Sequence, residues 1–396
     1  MPSYARKEIV CESEVQVFRA YTRCVRRAFL CGDDLLTGKN FDHRKEWVEE
    51  RLQDLSSIMA LDICGFAVMG NHLHVVVRTR PDLVAGWSDE EVARRWWRLF
   101  PKRRDEQGQA AEPKEQELGM LLADAEALAE RRRRLSSLSW FMRCLSEPIA
   151  RRSNKEDGVS GRFFEGRFKC QKLLDEAAIL ACSVYVDLNP VRAGIADTPD
   201  VSAHTSAYER IQGRQQRQAQ EEAGRSRDKL RGRRARADTC PDRDAWLCPV
   251  SVDGDPPEVA RAAASRRASN KGFLSMESDD YLRILDWTGR QVRRGKRGAI
   301  PKELAPLLER LGMSAEFWVE TATNFDRWFH RAAGRVSLLA EEADRAGKRW
   351  FQGAGHCQQA FAQLVAGSPH QPKGTRSALA ACPTLTPSPD AVRPSP

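Results

Sequence analysis

The chain has 396 residues, 41% of them hydrophobic, and a formal net charge of +9. It is long enough for two or three domains with real cores, and its basic excess suits a polyanionic partner, although ordinary solubility also explains such a charge. No apolar run approaches the ~20 residues of a membrane span, and no apolar signal segment follows Met1. We therefore expect no membrane partner and an intracellular, cytoplasmic protein.

The eleven cysteines are scattered and form no Cys-x-x-Cys pair. This spacing excludes zinc ribbons and zinc fingers. We expect most of them to be small buried side chains in a reducing compartment.

The first half of the chain predicts strands and helices in alternation. In chain order these are a strand within 14–31, a helix over 43–60, a hairpin over 62–79, a loop insertion over about 81–135, a helix over 136–155 with a kink at Pro148, a strand over 158–172 and a helix from Asp175. Without the insertion the order is β-α-β-β-α-β-α. It predicts an α+β fold with a ferredoxin-like or RRM-like antiparallel sheet and packed helices.

Two histidines follow the turn of the predicted hairpin. Gly70-Asn71 is a hairpin turn signal between two apolar runs, and His72 and His74 come directly after it. Side chains two apart on a strand point to the same face, so both imidazoles leave one face and Leu73 leaves the other. Such a pair is half of a metal site, or alternatively two polar residues on a solvated face.

The helix from Asp175 carries a second candidate pair. Asp175 is a typical N-cap, and Pro190 stops or kinks the helix. Tyr185 and Asn189 are four residues apart and share a face near the helix end. From these residues alone, Tyr185 is equally a core residue with its hydroxyl at the surface, and Asn189 merely the end of the helix.

The segment 158–172 mixes basic and aromatic side chains. They are Arg162, Phe163, Phe164, Arg167, Phe168, Lys169 and Lys172. This mixture suits a strand that contacts a nucleic-acid backbone, and an edge strand with its aromatic residues in the core is the alternative. We predict both, with the aromatic side chains packed inward and the basic ones facing outward.

The two pairs occur together in a known family. His-Leu-His at 72–74, followed by Tyr-Val-Asp-Leu-Asn-Pro-Val-Arg-Ala-Gly at 185–194, resembles the HUH single-tyrosine transposases of the insertion-sequence-200 type, and above all their REP-associated branch. The resemblance covers residues 10–210 and rests on two separated motifs in the right order. It implies an HUH palm in which His72, His74 and Asn189 hold Mg²⁺ or Mn²⁺ and Tyr185 is the nucleophile.

The same resemblance implies an activity. Tyr185 would cut single-stranded, hairpin-bearing DNA through a 5′-phosphotyrosine link, and the freed 3′-hydroxyl would allow rejoining during DNA transposition. Arg162, Arg167, Lys169 and Arg192 would contact the DNA. The family implies a monomer or a homodimer.

The rest of the chain lies outside the resemblance. Residues 213–244 are rich in Arg and predict a basic linker, 245–365 predict an all-helical accessory domain, and the Pro-rich 366–396 predict a disordered tail. A basic cluster at 290–297 is compatible with a helix-turn-helix DNA binder, and a plain accessory or dimerisation module fits as well.

Three other functions remain open at this stage. A replication initiator or relaxase of the wider HUH class shares the chemistry, but the lone tyrosine followed by Asn-Pro-Val-Arg favours the transposase branch. A non-catalytic DNA-binding regulator is disfavoured by the complete set of predicted ligands. An RNA-binding protein with an RRM-like sheet is disfavoured by the histidine pair.

Overall fold

A five-stranded mixed sheet organises the fold, in the order β2-β3-β1-β4-β5. The strands are β1 Val17–Arg23, β2 Leu61–Val68, β3 His72–Thr79, β4 Lys169–Leu173 and β5 Ala332–Ala333. The structure is a computed structural model that describes residues 9–25, 30–34, 38–231, 242–255, 257–263, 265–294 and 301–361. All of these residues belong to one compact unit.

The first four strands have the predicted arrangement. β1 pairs antiparallel with β3 on one side and with β4 on the other, and β2 pairs antiparallel with β3. This is the strand order of a ferredoxin-like sheet. The predicted purely antiparallel sheet is wrong in one respect, because β5 comes from the C-terminal part of the chain and runs parallel to β4.

Helices cover the sheet and fill the connections. They are α1 His43–Ile58, α2 Pro81–Ala85, α3 Asp89–Leu99, α4 Glu115–Leu122, α5 Ala125–Leu135, α6 Leu138–Asp157, α7 Glu176–Asp187, α8 Asn189–Arg192, α9 Ser206–Arg231, α10 Pro257–Ala263, α11 Ser278–Arg294, α12 Ala305–Arg310, α13 Trp318–Trp328, α14 Val336–Arg345 and α15 Ala354–Ala360. The predicted insertion at 81–135 is thus mainly helical. None of the described helices is long and apolar enough to cross a bilayer.

The two faces of the sheet support two hydrophobic cores. Leu73, Val75 and Val77 of β3 pack into a core with α1 and α6. Val76 of the same strand packs into a core with α7, and this core also contains residues of α11 and α13. Because side chains alternate along a strand, His72 and His74 belong to the α7 face.

Two sequence predictions differ from the structure at their boundaries. The strand predicted over 158–172 is confined to β4, and the preceding segment is irregular, joined to the sheet by a single bridge between Cys24 and Phe164. The polar Gly and Ser residues at 158–161 explain the shorter strand, since they favour turns. The first part of the predicted linker 213–244 is helical as far as Arg231.

The predicted accessory region packs directly on the first half of the chain. Helix α13 contacts α7, and α11 contacts α8. The proposed division at 10–210 and 245–365 stays a prediction, as does the basic linker between them. The predicted tail at 366–396 lies outside the described residues, and so do residues 295–297 of the basic cluster at 290–297.

Candidate active site

The histidine pair has the geometry that the strand pattern predicts. His72 and His74 lie on β3, with ring centroids 4.8 Å apart in an edge-to-face arrangement. His74 is buried and His72 is half-buried. Leu73 between them points into the opposite core. The two imidazoles therefore stand side by side on the face that α7 covers.

Helix α7 brings Tyr185 to the histidines. Asp175 caps the helix by accepting a 2.9 Å hydrogen bond from the Ala178 N–H. Tyr185 lies near the other end, and its ring is 6.1 Å from the His74 ring and 5.9 Å from Phe325 of α13. The two motifs that were separate in the sequence thus meet at one place.

Asn189 begins a new helical turn after α7. The helix ends at Asp187, and Leu188 and Pro190 lead into α8, because a proline has no N–H to continue the hydrogen-bond ladder. Asn189 is buried, and its Oδ1 accepts a 3.3 Å hydrogen bond from Arg192. Within the described part of the chain, its Nδ2 has no hydrogen-bond partner.

Arg19 is a site residue that the sequence reasoning missed. It lies on β1, the central strand, with a side chain only 1% exposed. Its Nη2 is 3.3 Å from Nδ1 of His74, and its Nη1 donates a 2.7 Å hydrogen bond to Asp326. Its guanidinium also lies 4.8 Å from the ring centroids of both Tyr21 and Tyr185. One buried cation therefore touches the histidine, the tyrosine and a carboxylate.

Asp326 was missed as well, and it comes from the predicted accessory region. It lies on α13, two residues after a break in the helical backbone at Asn324, and its side chain is 49% exposed. The C-terminal helices thus supply a charged group to the site.

A second guanidinium flanks the tyrosine. Arg192, predicted to contact DNA, lies 4.4 Å from the centroid of the Tyr185 ring. Together with Arg19 it places two positive charges beside the phenol. Arg19 is buried and paired with Asp326, whereas Arg192 is partly exposed, so Arg192 is the one of the two that an anion from solvent could reach.

Both imidazoles are neutral at physiological pH. Burial, reinforced by the positive charges of Arg23 and Arg19, lowers the pKa of His72 to about 4. Burial, Arg19 and His72 together hold the pKa of His74 well below its ordinary value. Neutral imidazole is the form that binds metal ions.

The donor set suits a divalent cation chemically. The two neutral imidazoles offer nitrogen ligands and the buried carboxamide of Asn189 offers its oxygen, and none of the three adds negative charge. No group of three or more His, Cys, Asp or Glu side chains capable of holding a metal ion occurs among the described residues. The predicted set has only two members of those types, and Asn189 is its third.

Three of the predicted DNA-contacting residues lie at the start of β4 or in the irregular segment before it. Arg162, Arg167 and Lys169 are exposed, while Phe163 is buried and Phe164 packs partly against the core. Lys169 also lies 5.5 Å from the ring of Tyr21, which in turn contacts His74. Of the three exposed basic residues, Lys169 is thus the one with a contact that reaches the site, through Tyr21.

Comparison with known proteins adds little. No family model matches the chain, and no curated protein matches it. A solved structure of a REP-associated tyrosine transposase bound to a REP hairpin is similar over 53% of this chain and 86% of that chain, with 10% identity and a TM-score of 0.31. A similarity this loose carries no argument about the site.

Proposed function

We propose that this chain is a metal-dependent, single-tyrosine DNA strand transesterase that cuts and rejoins single-stranded or hairpin DNA. The observation that carries the proposal is the meeting of Tyr185 with the His72–His74 pair, with a buried ring contact of 6.1 Å between Tyr185 and His74. A tyrosine in an ordinary core needs neither imidazoles nor two guanidinium groups around it.

The chemistry follows from these groups. The Tyr185 hydroxyl attacks the phosphorus of a phosphodiester and loses its proton, a bond forms between its oxygen and phosphorus, and the bond from phosphorus to the 3′ oxygen breaks. The 3′ oxygen leaves and takes up a proton. Because the new phosphotyrosine link conserves the ester, the reverse step rejoins DNA without an external energy source.

Each residue of the site has a role in this proposal. His72, His74 and Asn189 would hold Mg²⁺ or Mn²⁺, and the bound ion would polarise the phosphate and offset its developing charge. Arg192 lies beside the Tyr185 ring, where its charge holds the phosphate against the hydroxyl. Arg162, Arg167 and Lys169 bind the flanking DNA backbone.

The test is covalent trapping on a denaturing gel. Single-stranded hairpins from the DNA that flanks the gene, labelled at the 3′ end that stays with the protein, are incubated with the full-length protein and Mg²⁺ or Mn²⁺, and in parallel with a chelator. We expect metal-dependent transfer of label to the protein, lost in Tyr185→Phe. Tyr21→Phe is the matched control, since it removes the neighbouring hydroxyl that also lies beside Arg19 and His74.

Two outcomes would reject the assignment. Adducts that persist in Tyr185→Phe and disappear in Tyr21→Phe would identify Tyr21, and not Tyr185, as the nucleophile. Tight binding of the hairpins with no cut strand under any metal condition would instead support a non-catalytic DNA-binding regulator.

A further inference from the structure

The two histidines of the site have opposite hydrogen-bond states. Nδ1 of His72 lies 2.7 Å from Oδ1 of Asn71, an acceptor, so this nitrogen carries the proton and Nε2 keeps a free lone pair. Nδ1 of His74 lies 3.3 Å from Nη2 of Arg19. A guanidinium can only donate, so Nδ1 of His74 accepts and its proton is on Nε2. His72 is therefore ready to bind a cation, whereas His74 is not.

This arrangement excludes a cation at His74 while Arg19 stays in place. A cation bound through Nδ1 would need the position that the guanidinium occupies. A cation bound through Nε2 would require the proton to move to Nδ1, which would then face the guanidinium N–H as a second donor. Either way the hydrogen bond between Arg19 and His74 must break, and the repulsion between two cations adds to the cost.

Asp326 gives Arg19 a partner that does not depend on His74. Nη1 of Arg19 binds Asp326 across 2.7 Å, while Nη2 faces the histidine. The guanidinium can turn away from His74 and keep its ion pair, so it is not left as an unpaired buried charge. The rings of Tyr21 and Tyr185, each with its centroid 4.8 Å from the guanidinium, also attract the cation whether or not it contacts His74.

We propose that Arg19 and a divalent cation exclude each other at His74, so that Arg19 sets the affinity of the site for the cation. The inference rests on the proposed metal site of His72, His74 and Asn189. It makes Arg19 a positioning residue and gives the C-terminal helices, through Asp326, a part in metal loading.

The experiment counts bound Mn²⁺ by electron paramagnetic resonance, with full-length protein and no DNA. Wild type is compared with Arg19→Gln and with Arg23→Gln. Arg23 lies on the same strand as Arg19, opposite His72, and its side chain is exposed. Arg23→Gln therefore removes the same charge as Arg19→Gln without removing a contact to His74. Because a charged hydrogen bond no longer competes, we expect Arg19→Gln to bind Mn²⁺ at least about tenfold more tightly than wild type. Arg23→Gln should change the affinity by less than about threefold, as expected for a screened exposed charge.

The outcomes separate cleanly. Equal gains in Arg19→Gln and Arg23→Gln, no gain in Arg19→Gln, or no Mn²⁺ binding by any of the three proteins would overturn the proposal. Adding His74→Ala to Arg19→Gln must abolish the tight site, and its retention would place the cation elsewhere.

A measurement on the wild type covers the case in which Arg19→Gln does not fold. Nitrogen-15 spectra of labelled histidines identify the protonated ring nitrogen. Without metal we expect the His74 proton on Nε2. Saturating Mg²⁺ must change the nitrogen-15 shift of His74 Nδ1, either because the proton moves to that nitrogen or because the cation replaces Arg19 there. A proton on Nδ1 in the metal-free protein, or a state indifferent to saturating Mg²⁺, contradicts the inference. Neither readout involves DNA. Adducts formed by a protein in which Arg19 has no effect on Mn²⁺ affinity would refute only this inference. An effect of Arg19 on Mn²⁺ affinity in a protein that forms no adducts would refute only the proposed function.

Discussion

Arg19 on the central strand and Asp326 on helix α13 form a 2.7 Å ion pair across 307 positions of sequence. The arginine is buried and the aspartate is half-exposed, so the pair reaches from the sheet to the surface. A buried guanidinium without a carboxylate is costly, and this pair therefore ties the C-terminal helices to the site.

The stability of the fold should depend on this pair. Removing one partner of a fully buried pair costs about 3–5 kcal/mol, and because Asp326 is half in solvent we expect Asp326→Ala to lower the free energy of unfolding by about 1–3 kcal/mol. In an Arg19→Met background the same change should cost less than about 0.5 kcal/mol. Urea unfolding of the four proteins measures the coupling, and equal losses in both backgrounds would show that the pair is energetically silent.

Asp187 should hold the end of the tyrosine helix. It accepts hydrogen bonds from the Ser206 hydroxyl, from the Ala207 N–H at 3.0 Å and from the Tyr281 hydroxyl at 2.6 Å, which joins α7 to α9 and α11. Asp187→Ala leaves these buried donors unpaired, so we expect a loss of about 2–4 kcal/mol in the free energy of unfolding. Asp187→Asn keeps an acceptor, and burial already raises the pKa of the native carboxyl, so it should cost less than half as much. Equal losses in chemical denaturation would contradict this role.

Glu209 predicts a pH dependence of stability. Burial, then the negative charge of Glu49, raises its pKa from 4.5 to about 7, although Arg243 binds it at 2.7 Å. The folded state therefore holds this proton more strongly than the unfolded state between about pH 4.5 and 7. The stability that the proton confers is full below this window and is lost as the pH rises through it.

Glu209→Gln removes this titration and serves as the reference. Relative to it, we expect the free energy of unfolding of the wild type to fall by roughly 1–3 kcal/mol between pH 4.5 and 7. Urea titrations at several pH values measure the difference. Parallel pH profiles for the two proteins would mean that the carboxyl ionises alike in both states.

The exposed arginines before β4 should contribute to DNA affinity through charge alone. We expect Arg162→Gln with Arg167→Gln to weaken binding of single-stranded DNA and to reduce the slope of log affinity against log salt by about 1.4, since each of the two phosphate contacts contributes ~0.7. Arg283→Gln, at an exposed position on α11, is the matched control and should leave the slope unchanged. Fluorescence anisotropy at several salt concentrations gives the slopes, and equal slopes for all three proteins would exclude phosphate contacts at 162 and 167.

Local rules predicted the position of each candidate side chain within its element. Alternation placed His72 and His74 on one face, and the cap at Asp175 fixed the start of the tyrosine helix. The same alternation marks Arg19, because Phe18 and Ala20 beside it pack into the opposite core. That signal was available in the sequence and was not used.

Asp326 had no such signal. Helical periodicity shows which residues of α13 face a core but does not show which surface that core belongs to, because the docking of a helix depends on contacts between distant segments. The ion pair with Arg19 and the contact of Phe325 with Tyr185 arise only when α13 is placed on α7.

The short strand β5 has a consequence for solubility. Backbone N–H groups of Lys172 and Leu174 on the β4 side donate to Arg331 and Ala333, so the C-terminal segment satisfies the free edge of the sheet. A protein shortened to residues 1–210 would present this edge unpaired, beside an apolar surface on α7 that α13 normally covers. Open edges of this kind template strand addition between molecules. We expect the shortened protein to aggregate in a sedimentation assay under conditions in which the full chain stays dispersed. The strand β5 would then prevent self-association by covering the edge of β4.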